Sequence, residues 1–295
     1  MSANLIDGTA IAATIKNEVR DEAAQLKERH GIVPGLAFLL VGENPASQSY
    51  VRSKGKACEY CGFHSTTIEM PAHATQDDIL EQIDAWNVDP DIHGILVQLP
   101  LPAHVDEHAV IRAITPRKDV DGFHPVNVGK LVIGQETLAP CTPAGILELL
   151  ARSGNDPAGK HVVVVGRSNI VGKPVANMLV QKSRGANAIV TVAHTAAKDL
   201  TRYTKDADIL IAAIGRAHAI TADMVREGVV VIDVGINRID DPTHPKGSRL
   251  VGDVDFAGVA PKAAAITPVP GGVGPMTIAM LMRNTLDAAR RTIRS

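Results

Sequence analysis

Apolar runs of strand length alternate with helix-sized segments along this chain. Gly35-Leu-Ala-Phe-Leu-Leu-Val-Gly42 and Gly94-Ile-Leu-Val-Gln-Leu99 are almost continuously apolar, the pattern of strands covered on both faces in a parallel sheet. Segments 8–30, 46–61 and 76–87 instead space their apolar residues by three and four and are rich in Ala, Glu, Lys and Gln, which predicts helices. A second strand series, at 162–166, 188–193, 208–213 and 229–233, is separated by helix-sized gaps, the pattern of a doubly wound nucleotide-binding sheet. Between the two series, residues 115–160 are rich in Pro, Gly and Asp and read as a hinge carrying one helix, 143–151. The expected fold class is α/β in two domains, an N-terminal α/β domain over 1–140 and a Rossmann-type domain over 141–274. A closing helix, 275–295, starts at Pro275 after a Gly-rich turn and is long enough to return to the first domain.

Composition narrows the classes. The 295 residues, 45% hydrophobic, suffice for two ordinary cores and exclude a disordered chain. Lys and Arg total 30 against 32 Asp and Glu, with no long block of either sign, and aromatics are only 3%, so no nucleic-acid partner is expected. No apolar run reaches the roughly 18 residues of a membrane span, and no basic-then-apolar leader opens the chain, so no membrane partner is expected and the cytoplasm is the expected compartment. Cys58, Cys61 and Cys141 are too few for a disulfide framework. The C-x-x-C at Cys58 and Cys61 lacks a second half, so both are expected to be inert helix residues, with no metal site.

Two regions carry candidate chemistry. Strand Val162–Val165 runs into Gly166-Arg-Ser-Asn-Ile-Val-Gly172-Lys-Pro174 and then a helix, which places backbone N–H groups and a helix N-terminus where a phosphate binds. In NAD enzymes a carboxylate near the end of the second strand holds the ribose hydroxyls. Here that strand ends Val192-Ala-His194-Thr195, and the missing acid, with Arg167 in the loop, points to a ribose bearing a 2′-phosphate and hence to NADP as cofactor. In the first domain Tyr50 and Lys54 are spaced to share a helix face. Gln98 interrupts an apolar strand near its carboxyl end, where open α/β sheets bind ligands, and Asp121 lies in Lys118-Asp-Val-Asp-Gly122. Each also has an ordinary reading: helix surface for Tyr50 and Lys54, turn caps for Asp119 and Asp121, strand stops for Pro100 and Pro102.

Sequence blocks choose among these readings. Val41-Gly-Glu-Asn-Pro-Ala-Ser-Gln-Ser-Tyr50-Val-Arg-Ser-Lys54, Gly94-Ile-Leu-Val-Gln98-Leu-Pro-Leu-Pro102, Lys118-Asp-Val-Asp121-Gly-Phe-His-Pro-Val-Asn127 and Pro140-Cys-Thr-Pro143 resemble the bifunctional methylenetetrahydrofolate dehydrogenase/cyclohydrolase family. So do Gly166 to Pro174, Ile232-Asp-Val-Gly-Ile-Asn237 and Ile266-Thr-Pro-Val-Pro-Gly-Gly-Val-Gly-Pro-Met-Thr277, in the family's order and over almost the whole chain.

The resemblance implies oxidation of methylenetetrahydrofolate with NADP and hydrolysis of the methenyl product, in a cleft between a folate-binding catalytic domain and the nucleotide domain. It makes Lys54 the proton-moving group, held by Gln98, with Tyr50 positioning the substrate and Asp121 on the pterin edge. Pro100, Gly272 and Pro275 join the substrate set, and Gly166, Arg167, Ser168, Thr195, Ile236 and Thr277 the cofactor set. A homodimer through the nucleotide domain is implied as well. Fold analogy alone also permits a dehydrogenase for a hydroxy acid or shikimate-like substrate, or a nucleotide-sensing scaffold without chemistry.

Overall fold

The computed structural model describes residues 3–243 and 247–294. Strands β1 (Asn4–Leu5), β2 (Gly35–Val41), β3 (His64–Met70) and β4 (Gly94–Val97) alternate with helices α1 (Gly8–His30), α2 (Pro45–Cys61) and α3 (Gln76–Val88). Helices α4 (Glu107–Ala113), α5 (Pro125–Val132) and α6 (Cys141–Arg152) follow. The second series is β5 (His161–Val165), α7 (Gly172–Leu179), β6 (Ile189–Ala193), α8 (Thr201–Thr204), β7 (Ile209–Ala212), β8 (Val230–Asp233), β9 (Asn237–Asp240), β10 (Ser248–Val251), α9 (Phe256–Val259), β11 (Ala265–Ile266) and α10 (Val273–Arg291).

The chain divides into two compact units. One comprises Ala13–Cys141 and Ile278–Ser295, the other Met1–Ala12 and Thr142–Thr277. In the first, β2 is the centre of a parallel sheet in the order β3-β2-β4, and every residue of β2 and β4 is buried, which explains their unbroken apolar character. Strand β3 is His-Ser-Thr-Thr-Ile-Glu-Met, with no residue fully buried. Nothing in that composition announces a strand; pairing with β2 along its whole length makes it one. The Pro- and Gly-rich stretch read as hinge contains α5, which His124 caps by accepting from Val126 N while Pro125 takes the first helical position. Within this unit Arg283 of α10 donates to both oxygens of Glu22 on α1 at 2.8 Å, and Asn284 bonds the backbone of the Asp121 loop.

The second unit carries, among its described residues, a six-stranded parallel sheet in the order β1-β11-β8-β7-β5-β6, with β9 and β10 as a separate antiparallel pair. Strands β7 and β8 and the valines of β5 are fully covered. Residues 3–12 fall in this unit. The sequence places them with the first domain, but β1 pairs in parallel with β11, and Asn4 and Ile6 N–H groups donate to Ala264 and Ile266 carbonyls at 2.9 Å. Two residues of strand are too short a pattern to detect from sequence, and only the ladder defines them.

Candidate active site

Helix α2 is placed by its ends: the Asn44 side chain accepts from Ala46 and Ser47 N–H groups, Pro45 opens the first turn, and Gly62 in the left-handed region closes the last. This helix brings Lys54 inward. The side chain is buried at 8% exposure, and its Nζ donates to Gln98 Oε1 at 3.0 Å. Gln98 sits just past β4, where its N–H still donates to Leu39 O at 2.9 Å, and its Nε2 donates to Leu99 O at 2.7 Å. The amide is thus oriented by two bonds, with the oxygen facing the ammonium. Tyr50 lies one turn earlier on the same helix face and is exposed, as is Pro100.

Asp121 belongs to the same cluster. Burial pushes its carboxyl above the usual range, opposed by the positive charge of Lys54. The loop that carries it is fixed by Asp119, whose two oxygens accept from Gly122, Phe123 and His124 N–H groups and from Asn127 Nδ2. A Cβ on Gly122 would lie 2.6 Å from Pro140 N, so this turn, with φ of 72°, excludes any larger residue. Behind it, Asn284 Nδ2 donates to Val120 O and Ala139 O at 2.7 and 2.8 Å. Cys141 Sγ donates to Val120 O at 3.3 Å, and burial followed by the nearby Asp121 charge drives its thiol pKa well up.

In the other unit, the turn after β5 closes on itself. Gly166 has φ of 138°, and a Cβ there would lie 2.2 Å from Ala213 O. At Gly172 a Cβ would lie 2.3 Å from Gly166 O. Ser168 Oγ accepts from Val171 and Gly172 N–H groups at 3.1 and 3.3 Å, which leaves its own proton for an outside acceptor such as a phosphate oxygen. Helix α7 begins at Gly172, with its N-terminus beside this loop. Arg167 and Thr195 are exposed, and the chain turns after β6 through Ala197 N donating to His194 O at 2.9 Å. Ile236 Cδ1 lies 3.7 Å from where a Cβ on Gly274 would stand, next to Gly272 and Pro275 at the start of α10. Thr277 Oγ1 is 2.8 Å from Thr142 Oγ1. Glycine cradles, a free hydroxyl proton and a strand end without a carboxylate fit a phosphorylated dinucleotide.

Comparison with known proteins decides the family. A family model for the catalytic domain of tetrahydrofolate dehydrogenase/cyclohydrolase matches residues 6–121, and one for its NAD(P)-binding domain matches residues 140–293. The chain belongs to the tetrahydrofolate dehydrogenase/cyclohydrolase family. The bifunctional protein FolD of Prosthecochloris aestuarii is 58% identical over 290 residues, 98% of each chain. The solved bifunctional methylenetetrahydrofolate dehydrogenase/cyclohydrolase of Campylobacter jejuni is 49% identical, with a TM-score of 0.93 over 99% of this chain and 100% of that one. That of Trypanosoma brucei, solved with NADP and an inhibitor, is 42% identical with a TM-score of 0.94 over 100% of both chains.

Within this member of the tetrahydrofolate dehydrogenase/cyclohydrolase family, Lys54, Gln98 and Asp121 gather in one unit, while Gly166, Ser168, Ile236, Gly272, Pro275 and Thr277 stand in the other. Residue types alone do not reveal Asn284, which lies on a helix far along the chain, or Asp253, whose carboxylate organises two loops of the nucleotide unit. Cys58 and Cys61 are free and buried, with thiols pushed up by burial to about 12 and about 11, far from a reactive thiolate. Among the described residues no group of three or more His, Cys, Asp or Glu is placed to hold a metal, and no helix is long and apolar enough to cross a membrane.

Proposed function

We propose that this chain oxidises 5,10-methylenetetrahydrofolate to 5,10-methenyltetrahydrofolate with NADP and hydrolyses the methenyl product to 10-formyltetrahydrofolate. The buried Lys54–Gln98 bond at 3.0 Å, within the electrostatic reach of Asp121, carries this reading. A buried lysine with one oriented acceptor is suited to moving protons.

In the first reaction NADP would supply the hydride acceptor, while the lone pairs of the substrate's ring nitrogens push hydride from the methylene carbon, so the protein needs to align rather than to protonate. Alignment falls to Tyr50 against the substrate, with Asp121 presenting two oxygens to adjacent N–H and amino donors of the pterin. In the second, water attacks the methenyl carbon of a cationic amidinium. Lys54 Nζ, uncharged once its own proton has passed to solvent, accepts a proton from the water as its C–O bond forms. Returning that proton to the departing ring nitrogen breaks its bond to the carbon, and the hydroxyl of the adduct gives up its proton to solvent as the formyl C=O forms, so one proton leaves overall. Gln98 keeps Nζ in place throughout.

NADP rather than NAD is supported by the strand end at Ala193-His194-Thr195, which offers no carboxylate, and by exposed Arg167, which suits a 2′-phosphate. Gly166, Ser168 and the start of α7 would hold the pyrophosphate, and Ile236 and Thr277 would flank the nicotinamide half. We also place the enzyme as a homodimer in the cytoplasm. Three free thiols fit a reducing compartment. Strand β6 is an outer strand of its sheet, with Ile189 65% and Val192 43% exposed and Val180 nearby at 55%, an apolar edge suited to a second copy. Paired assays of NADP-dependent oxidation and nucleotide-free methenyl hydrolysis test the function, and sedimentation of the wild type and Ile189→Lys tests the dimer.

A further inference from the structure

The fully buried Asp253 spends its entire accepting capacity on two loops. Its Oδ2 accepts from Ile214 and Gly215 N–H groups at 2.6 and 2.8 Å, and its Oδ1 from Arg216 N and Asn237 Nδ2 at 3.0 and 2.9 Å. The three successive N–H groups follow the carboxyl end of β7, and Asn237 follows Ile236 after β8. Ligands bind at this end of a parallel sheet.

A chain of close contacts runs through that carboxylate. The phosphate loop presses on the β7 exit, since a Cβ on Gly166 would lie 2.2 Å from Ala213 O. From there Asp253 bonds Ile214 to Arg216 on one side and Asn237 on the other, and Ile236 packs beside Gly274. Asp253 is itself held from behind: its N–H and that of Gly235 donate to Asp233 Oδ1, and Val254 N donates to Asp233 Oδ2. Asp233 N in turn donates to Thr267 Oγ1 at 2.8 Å, which anchors the network to the segment leading to Gly272. Only glycine fits between the two carboxylates, because a Cβ on Gly235 would lie 2.3 Å from Asp253 Oδ1 and one on Gly252 1.8 Å from Asp233 Oδ2.

We propose that Asp253 is a positioning residue for the nucleotide, locking the loops after β7 and β8 together so that both meet the cofactor already in their bound geometry. It rests on the NADP reading above. Four donors converge on two oxygens, so an amide at this position turns one oxygen into an NH2 facing other N–H groups, and the loops must part. Binding then has to restore the arrangement, and affinity falls by the fraction of molecules that hold it. Hydrolysis of the methenyl substrate needs no nucleotide and is assigned to residues of the other unit, so it provides the internal reference.

The test measures NADPH affinity by fluorescence titration, the KM for NADP, and nucleotide-free methenyl hydrolysis in the wild type, Asp253→Asn and Asn237→Ala. The expected result is an NADPH Kd and an NADP KM raised by about tenfold in Asp253→Asn and by about threefold in Asn237→Ala, with kcat at saturating NADP and hydrolysis both retained. Unchanged nucleotide affinity in both variants, or losses shared equally by oxidation and hydrolysis, would overturn the proposal by leaving Asp253 a general fold staple. Should Asp253→Asn fail to fold, Asn237→Ala decides alone, because it removes one donor without leaving a carboxylate oxygen buried and bare of partners. A wild type that binds no NADPH would instead overturn the cofactor reading, and the positioning role with it.

Discussion

Lys54 Nζ and Gln98 Oε1 stand 3.0 Å apart, joined from the middle of a helix and the end of a strand 44 residues further along. The pair defines a lysine that is buried, oriented and left with hydrogen-bonding capacity to spare. Lys54→Met preserves the length of the side chain and removes the proton carrier. Methenyl hydrolysis is expected to fall by at least about 100-fold, the usual scale of general acid–base catalysis. NADPH affinity is expected to stay within about twofold of the wild type, since the nucleotide loops make no use of Lys54. Normal hydrolysis in this variant would remove Lys54 from the mechanism.

Gln98→Glu keeps the shape and adds a negative charge against Nζ. An opposite charge at that distance favours the ammonium form, so proton release becomes harder. Hydrolysis at neutral pH is expected to drop, and its pH–rate profile to move toward higher pH. A profile that stays in place would show that Gln98 does not set the state of Lys54.

Gly166→Ala tests the phosphate loop. The added Cβ would meet Ala213 O at 2.2 Å in a backbone conformation with φ of 138°, so the loop must shift. Strain of about 1–3 kcal/mol at such a position is expected to appear as a lower unfolding midpoint, together with loss of NADPH binding. Methenyl hydrolysis is the activity expected to survive, and its loss in parallel would mean that the turn supports more than the nucleotide.

His93 makes stability depend on pH. Its ring is buried, Nδ1 accepts from Gly35 N at 3.0 Å, and burial, with the Lys118 charge second, holds its pKa below the ordinary 6.5. As pH falls past about 6.5 the unfolded chain takes up the proton first, so the fold loses stability until the folded ring also titrates. His93→Asn keeps an acceptor for Gly35 without the titration. Urea midpoints of the wild type are expected to decline more steeply than those of the variant between pH 7 and pH 5; parallel slopes would contradict the assignment.

Strands whose composition matches their burial were legible in the sequence. Strands β2, β5, β7 and β8 are covered on both faces and read as unbroken apolar runs, so their number and type follow from pattern alone. Strand β3, all polar but for Ile68 and Met70, and β1, two residues long, exist through their ladders and carried no signal. The same division holds in the site. Gln98 and the Gly166 loop interrupt or end regular patterns and stood out, whereas Lys54 sits at a spacing that an ordinary helix surface also shows and was singled out by the family resemblance. Asp253 and Asn284 act by bonding backbone groups distant in sequence, and a single Asp in a loop or Asn on a helix has no periodicity to violate. Asp119, read as a turn cap beside Asp121, does cap that turn.

The most direct test of the account is an absorbance assay of the purified protein with methylenetetrahydrofolate, run with NADP and NAD in parallel, followed by methenyl decay without nucleotide. The expected result is oxidation strongly favouring NADP, decay well above the uncatalysed rate, and loss of that decay in Lys54→Met. Oxidation without accelerated decay would contradict the Lys54–Gln98 mechanism, and absence of both activities would contradict the proposed function itself.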